Sequence, residues 1–258
     1  MRFKVIASGS KGNMTYIETE KTKILLDCGV SYGNAKLTLA LDGIDIDDVE
    51  LVICTHEHSD HTRELAMILK KTKAALYINE KSYQMLNEKT LDEVNLHPVK
   101  FIEANKKYTY QDLSIYTLQM SHDSINCLGF VFQEKNSFLG YATDTGLIHI
   151  DYFPILRKCS SLIIEANHNV EMLQESKRQP HLIRRILSVK GHMSNHITCS
   201  ILESILTENN KNVILAHVSE DCNNDEMLHE EIIDKLKDRF SAKLIIARQR
   251  EALELMEV

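Results

Sequence analysis

The stretch ICTHEHSDHTREL, residues 53–65, concentrates ligand-type side chains at one place in the chain. Three histidines and one aspartate fall within six positions: His56, His58, Asp60 and His61. The apolar run at residues 51–53 predicts a buried strand that leads into this stretch. Side chains alternate along an extended segment, so His56 and His58 point the same way. The chain then turns at Asp60, and His61 opens a helix, so four ligand-type side chains converge.

This convergence predicts a metal site. Imidazole and carboxylate groups are the usual protein ligands of zinc, manganese and iron. One ion cannot use all four groups of so short a segment, but two ions can. His56 and His58 then bind one ion, and Asp60 and His61 bind the other. The alternative is a solvated histidine-rich loop. That alternative is disfavoured because few structural roles would call for such a run of histidines at the end of a buried strand.

Length, charge and cysteine usage limit the class of protein. A net charge of −7 on 258 residues excludes a globally basic nucleic-acid binder, although a local basic patch is still possible. The six cysteines are far apart and form no C-x-x-C pair, which argues against a zinc finger or a disulfide framework and suits the cytoplasm. No apolar stretch reaches the roughly 18–20 residues that a membrane helix needs. We therefore expect no membrane association and see no obligate protein partner.

Short strand-like runs alternate with helical periodicity along the whole chain, for example at residues 61–72, 194–208 and 225–239. This predicts one layered α/β domain over residues 1–258. There is also a weak internal echo. KILLDCG (23–29) and GYATDTG (140–146) are both strands that end in Asp-x-Gly, and LVICTHEH (51–58) and VILAHVS (213–219) both contain an apolar strand that leads into histidine. The echo suggests two half-domains that deliver side chains to a shared edge.

The remaining metal ligands are expected at strand ends. His122, Asp144 and His217 each stand where an apolar strand meets a loop. Taken singly, each residue suits a structural role as well as ligation. Because a carboxylate has two oxygens, Asp144 is the natural bridge between two ions. Asp27, at the end of another strand, is expected to hydrogen-bond a ligating histidine through the ring nitrogen that does not bind the metal.

THEHSDH (55–61) resembles the signature of the metallo-β-lactamase fold superfamily, and the later ligands follow in that superfamily's order. The resemblance implies an αββα sandwich with a dinuclear metal site along one edge of its two sheets. Within the superfamily, several shorter segments resemble the YycJ/WalJ group of bacterial DNA exonucleases: ASGSKGN, YATDTG, EANHN, GHMSNH and AHVSEDCNN. They also resemble PhnP-type phosphodiesterases and, more distantly, tRNase Z.

This resemblance implies a metal-dependent phosphodiesterase with 5′ to 3′ exonuclease activity on DNA. One divalent ion, zinc, manganese or iron, is held by His56, His58 and His122, and a second ion by Asp60, His61 and His217, with Asp144 bridging. A bridging hydroxide attacks phosphorus, and Asp60 helps to orient it. His192 contacts the scissile phosphate or protonates the leaving oxygen; a capping or core role is its alternative. An aspartate at position 144, where zinc β-lactamases have cysteine, argues against antibiotic hydrolysis.

The expected DNA contacts lie in a basic segment. Residues 176–202 contain no aspartate or glutamate but hold five cations: Lys177, Arg178, Arg184, Arg185 and Lys190. Arginine and lysine contacts to phosphates dominate affinity for nucleic acids, so we expect Arg184, Arg185 and Lys190 to bind DNA. The alternative is a solvated basic helix face. His168 and Asn195 are further candidate substrate contacts, with helix capping as the alternative for Asn195.

Other functions suit the same metal motif. They are a cyclic phosphodiesterase acting on small substrates, and a thioesterase or lactonase of the glyoxalase II or quorum-quenching type. A non-catalytic scaffold with a residual metal site is a third possibility. The basic segment and His192 argue against the thioesterase, and the full ligand set argues against the scaffold.

Overall fold

Apolar side chains lie on both faces of most strands, which predicts that both faces of each sheet are packed against other parts of the chain. The computed structural model, which describes residues 1–258, contains two seven-stranded sheets. The strands are Arg2–Ala7 (β1), Met14–Glu18 (β2), Lys23–Leu26 (β3), Leu51–Ile53 (β4), Ala75–Ile78 (β5), Val99–Phe101 (β6), Lys107–Tyr110 (β7), Leu113–Met120 (β8), Cys127–Glu134 (β9), Ser137–Ala142 (β10), Ser161–Glu165 (β11), Asn212–Ala216 (β12), Lys243–Ile246 (β13) and Met256–Glu257 (β14).

The helices are short and connect the strands. They are Tyr32–Ala40 (α1), Ser59–Thr62 (α2), Leu65–Thr72 (α3), Glu80–Gln84 (α4), Glu88–Val94 (α5), Phe153–Leu156 (α6), Val170–Glu175 (α7), Pro180–Ile186 (α8), Asn195–Ile205 (α9), Asp225–Leu228 (α10) and Asp234–Leu236 (α11). The predicted helix at 225–239 is interrupted by a π-helical turn at His229–Ile233. None of the helices has the length and apolar composition that would be needed to cross a bilayer.

Both sheets combine antiparallel and parallel strands. The first has the order β14-β1-β2-β3-β4-β5-β6, and the second has the order β13-β12-β11-β10-β9-β8-β7. In the first sheet β3 to β6 are parallel to one another, and in the second sheet β10 to β13 are parallel. Helical crossovers between parallel strands place helices on the outer faces of the sheets.

Three apolar layers hold the two sheets and the helices together. The central layer lies between the sheets and includes Phe3, Ile53 and Phe130. A second layer packs α1 and α3 on the first sheet, and a third packs α9 to α11 on the second. This is the predicted αββα sandwich in a single domain, so the expected fold class is confirmed.

The carboxyl ends of parallel strands meet at one edge of a sheet, where ligands of α/β proteins bind. Asp27 follows β3, Asp144 lies just beyond β10, and His217 follows β12; all three have a left-handed backbone, with φ of 62°, 55° and 52°. β3 and β10 occupy matching places in their sheets, so the first half of the internal echo is confirmed. β4 and β12 are not counterparts, because β4 matches β11 while β12 lies one strand further out, but histidines that follow both strands reach the same edge beside Asp144.

Candidate metal centre and active site

The loop after β4 buries two of its histidines completely. His56 and His61 are both 0% exposed, and their ring centroids lie 4.2 Å apart. The ring of His58 lies 4.5 Å from that of His56 and is partly accessible to solvent. Because burial disfavours the charged imidazolium, the pKa of His56 falls well below its ordinary value. A neutral imidazole is the form that binds metal ions.

Asp27 holds this loop from behind. One carboxylate oxygen accepts hydrogen bonds from the backbone N–H of Thr55 at 2.8 Å and from its hydroxyl at 3.0 Å. The other oxygen lies 2.7 Å from Nδ1 of His61, which leaves Nε2 of that ring facing the centre. Burial alone would lower the pKa of His61, but the carboxylates of Asp27 and Asp144 raise it well above its ordinary value. This is the supporting position that the sequence predicts for Asp27.

Asp144 lies between the two groups of histidines. Its Oδ2 is 3.5 Å from Nε2 of His61 and 3.4 Å from Nδ1 of His217, and its Oδ1 is 4.0 Å from Nε2 of His122. Burial would raise the pKa of Asp144, but His217 and His61 hold it well below the ordinary value. Its two oxygens thus face different histidines, as a bridging carboxylate requires.

The donor set fits divalent metal ions. Ligand atoms lie within 4.8 Å of one another in four groups: His56 with His58 and His122; His56 with His61 and Asp144; His122 with Asp144 and His192; and Glu165 with His192 and His217. Nε2 of His56 and Nδ1 of His217 are buried and have no hydrogen-bond partner. Buried polar atoms are rarely left unpaired in proteins, and ring nitrogens beside carboxylates are typical metal ligands.

Asp60 lies on the side of the centre that solvent reaches, and the buried Asn13 supports it. Asp60 Oδ2 is 3.4 Å from His61 Nε2 and accepts a hydrogen bond from Asn13 Nδ2 at 3.2 Å. The carboxylate is therefore oriented by the glycine-rich loop between β1 and β2. Of the predicted ligands, Asp60 and His58 are the two that solvent reaches best.

His192 lies on the side of the centre that belongs to the second sheet. Its ring centroid is 5.1 Å from those of both His122 and His217, and its Nδ1 is 2.6 Å from Oε1 of Glu165. Glu165 is fully buried, and its other oxygen accepts a hydrogen bond from the backbone N–H of Thr145 at 2.8 Å. Burial would lower the pKa of His192, but this carboxylate raises it to about 9.

Sequence reasoning missed Glu165 and Glu57. Glu165 ends an otherwise apolar parallel strand, which is the signal that identified Asp144. Glu57 stands between two predicted ligands, and its oxygens accept hydrogen bonds from the backbone N–H of Ile125 at 2.9 Å and from Ser82 Oγ at 3.0 Å. It thereby ties the loop at 121–126, which carries His122, to the loop after β4.

Gly29 allows three backbone segments to stack beneath the ligands. The N–H of Gly29 donates to Asn13 O at 2.9 Å, and the N–H of Asn13 donates to Asp60 O at 2.8 Å. A Cβ atom at position 29 would lie 1.7 Å from Asp60 O and 2.5 Å from Asn13 N. Any side chain there would displace the backbone that carries Asp60, so only glycine fits.

The model of the family described as "Beta-lactamase superfamily domain" matches residues 22–218, a span that includes every predicted ligand from His56 to His217. The chain belongs to the beta-lactamase superfamily. Two exodeoxyribonucleases align along most of this superfamily member. WalJ of Streptococcus pneumoniae strain D39 is 33% identical over 236 residues, covering 91% of the chain and 88% of WalJ. YycJ of Bacillus anthracis is 29% identical over 239 residues, covering 93% and 90%.

A solved structure supports the fold of this superfamily member. The metallo-β-lactamase fold protein YhfI of Bacillus subtilis superposes with a TM-score of 0.69 at 16% identity, and the match covers 98% of the chain and 99% of YhfI. The family model and the two relatives confirm the predicted resemblance to WalJ and YycJ and the predicted hydrolase class, and YhfI confirms the fold.

The predicted substrate residues of this superfamily member separate into two sets. Asn195 is 0% exposed and donates hydrogen bonds to Asn223 and Glu231, so the fold does not bring it to the centre. His168 is 1% exposed, and burial lowers its pKa to about 4. The second set is exposed: Arg184, Arg185 and Lys190. Only Arg185 among these contacts the ligand loops, with its Nε 2.9 Å from Asp123 beside His122.

Proposed function

We propose that this protein is a metal-dependent nuclease that removes nucleotides from DNA ends, with 5′ to 3′ polarity. The observation that carries the proposal is the pairing of the complete ligand cluster with His192, whose Nδ1 lies 2.6 Å from a fully buried carboxylate. The exodeoxyribonuclease names of two relatives that align along most of the chain support DNA as the substrate. The six cysteines are buried and form no disulfide bond, which is in keeping with a cytoplasmic location.

The centre is proposed to hold two divalent ions of zinc, manganese or iron. His56, His58 and His122 would hold one, and Asp60, His61 and His217 would hold the other. Asp144 would offer one oxygen to each, in keeping with its place between His61, His122 and His217. When bound, two such ions supply a nucleophile from water at neutral pH and offset the charge of the attacked phosphate. Asp60, positioned by Asn13, helps to orient the attacking water.

His192 is proposed to give a proton to the leaving oxygen. A sugar alkoxide leaves poorly without protonation, and a positioned imidazolium is an efficient donor. Glu165 acts through His192: its carboxylate accepts a hydrogen bond from Nδ1–H and fixes the ring, so that Nε2 presents its proton to the leaving oxygen. The high pKa of His192 favours the protonated form at neutral pH.

The exposed cations after α7 are proposed to hold the DNA backbone. Arg184 and Arg185 lie in the last turn of α8, and Lys190 follows shortly after, next to Gly191 and His192. Contacts of this kind recognise phosphate without reading the base sequence. We therefore expect binding that weakens steeply as salt increases.

A panel of substrates tests this function. The metal-loaded protein is incubated with 5′-labelled and 3′-labelled DNA, single-stranded and duplex, with RNA, bis-p-nitrophenyl phosphate, a thioester and a lactone. We expect early release of labelled mononucleotide from 5′-labelled DNA and progressive shortening of 3′-labelled DNA. Asp144→Asn protein, purified in the same way, controls for contaminating nucleases. Hydrolysis of the thioester or lactone with DNA left intact would refute the proposal, and cleavage of small diesters alone would favour the cyclic phosphodiesterase.

A further inference from the structure

A small pocket of about 110 Å³ adjoins the metal centre on the side of the second sheet. Its polar lining consists of Ser10, Asn167, Arg178, Arg185, His192 and Ser219, and no aspartate or glutamate lines it. The pocket shares His192 with the centre, and the ring of His192 lies 5.1 Å from those of His122 and His217. A ligand in this pocket is therefore next to the reacting group of a bound substrate.

Two arginines make the pocket cationic. Arg178 lies between α7 and α8, and its Nε is buried without a hydrogen-bond partner. A terminal nitrogen of Arg178 donates to Asp221 at 3.2 Å, but the side chain of Asp221 is 79% exposed, so solvent screens this pair. Arg185 contacts Asp123 through Nε.

The size and the donors of the pocket select one kind of ligand. A volume of about 110 Å³ is sufficient for a phosphate group. Guanidinium, amide and hydroxyl donors are the groups through which proteins bind phosphate oxygens. An apolar or cationic ligand would leave these donors unpaired.

We propose that this pocket binds a second phosphate group of the substrate, adjacent to the phosphodiester that is cut, with Arg178 as its principal ligand. The inference rests on the nuclease function proposed above and narrows the substrate class to chains that carry at least two phosphates. The second phosphate comes either from a terminal phosphomonoester or from the next internucleotide linkage. Of the five cations that stand out in the basic segment, only Arg178 and Arg185 line the pocket.

Three defined substrates test the pocket: dTpdT with one phosphate, pdTpdT with a terminal phosphate, and dTpdTpdT with two internucleotide phosphates. We expect at least one two-phosphate substrate to have a kcat/KM about tenfold or more above that of dTpdT, the effect of one hydrogen bond to a charged group. The substrate that gains identifies the source of the second phosphate. In Arg178→Gln the ratio should fall to about 1, and Arg178→Lys should restore part of it.

Lys177→Gln is the matched control, because it removes the same charge one residue away from a side chain that does not line the pocket. It should keep the parent's ratio, and unchanged melting temperatures should show that all variants fold. Two results would refute the proposal that this pocket binds a second phosphate while leaving the nuclease function intact. One is equal kcat/KM for all three substrates in the parent, and the other is an advantage of the two-phosphate substrates that persists in Arg178→Gln. Failure to cut any of the three, with DNA also resistant, would overturn the nuclease function itself.

Discussion

The two sheets of this protein have the same order of strand pairings, but the side chains at the ends of equivalent strands have different roles. Read from β14 to β6 and from β7 to β13, the strands pair antiparallel three times and then parallel three times. β3 and β10 are counterparts, and the aspartates beyond them, Asp27 and Asp144, both take a left-handed backbone. The fold thus places two carboxylates in matching positions at one edge.

Their neighbours give these two aspartates different roles. Both oxygens of Asp27 are occupied by Thr55 and His61, so it positions the predicted ligand His61, whereas Asp144 has histidines near both oxygens. The first half concentrates its ligands in the single loop after β4. β11, the counterpart of β4, ends with Glu165, and the chain after it returns to the centre only at His192. Equal backbone positions therefore do not imply equal chemistry.

Replacing Asp144 by asparagine should have the largest effect. The amide removes the negative charge between His61, His122 and His217, so metal content measured by mass spectrometry should fall. Hydrolysis of DNA should drop by at least about 10⁴-fold, because bound ions contribute both the nucleophile and charge stabilisation. Asp151→Asn, at an exposed aspartate, is the control. Full metal content with near-parent activity would remove Asp144 from the ligand set.

His192→Ala tests the contribution that only the second half makes. Both metals should stay bound, and hydrolysis of DNA should fall by roughly 10²–10⁴-fold, the usual range for a general acid. The loss should be smaller with bis-p-nitrophenyl phosphate, since p-nitrophenolate leaves without a proton. Glu165→Gln should reproduce a weaker form of the same pattern.

If His192 has only a structural role, a different result is expected. The melting temperature would then fall, and activity would fall equally with both leaving groups. Equal losses would end the assignment of His192 as the general acid, although a contact with phosphate would remain compatible with them.

Asp27→Asn should have a smaller effect than its counterpart at position 144. Outer partners of metal-binding histidines typically change metal affinity by about 10–100-fold when they are replaced. Titration with a competing chelator should show weakened binding, and excess metal should restore activity to the Asp27→Asn protein but not to the Asp144→Asn protein. If excess metal rescued both variants equally, the two aspartates would share one role.

The smallest effect is expected on the exposed cations of the second half. Neutralising Arg184, Arg185 and Lys190 together should weaken DNA binding and reduce the log–log salt slope by about one for each lost phosphate contact. Fluorescence anisotropy over a salt series measures the slope.

A charge-matched triple variant gives the comparison for that experiment. Lys70→Gln, Lys71→Gln and Lys73→Gln remove equal charge at the end of α3, in the first half of the fold. This control should keep the parent's slope. An unchanged slope in the Arg184, Arg185 and Lys190 variant would identify that segment as a solvated helix face.

Much of the candidate ligand cluster was predictable, because apolar strands are visible in sequence and the candidate ligands follow their ends. His122, Asp144 and His217 were located in this way. Glu165 and Glu57 were missed because their roles depend on which loops pack together, which local patterns do not encode. Asn195 was misplaced for the same reason: proximity along the chain to His192 does not turn a side chain toward the centre. The strands β6 and β14 are too short to show the alternation of apolar and polar residues that predicts a half-buried strand, so no signal in the sequence identified them.

The packing around Gly29 has a consequence for mutational tolerance. In a library of random variants screened for lost activity, position 29 should be as intolerant as a ligand, although glycine offers no ligand atom. Even the smallest substitution, alanine, adds an atom 1.7 Å from the carbonyl of Asp60. By contrast Gly33, on α1, has no heavy atom within 4 Å of an added Cβ and should accept alanine freely. A map of tolerated changes would therefore outline the backbone that supports the centre as well as the side chains that form it.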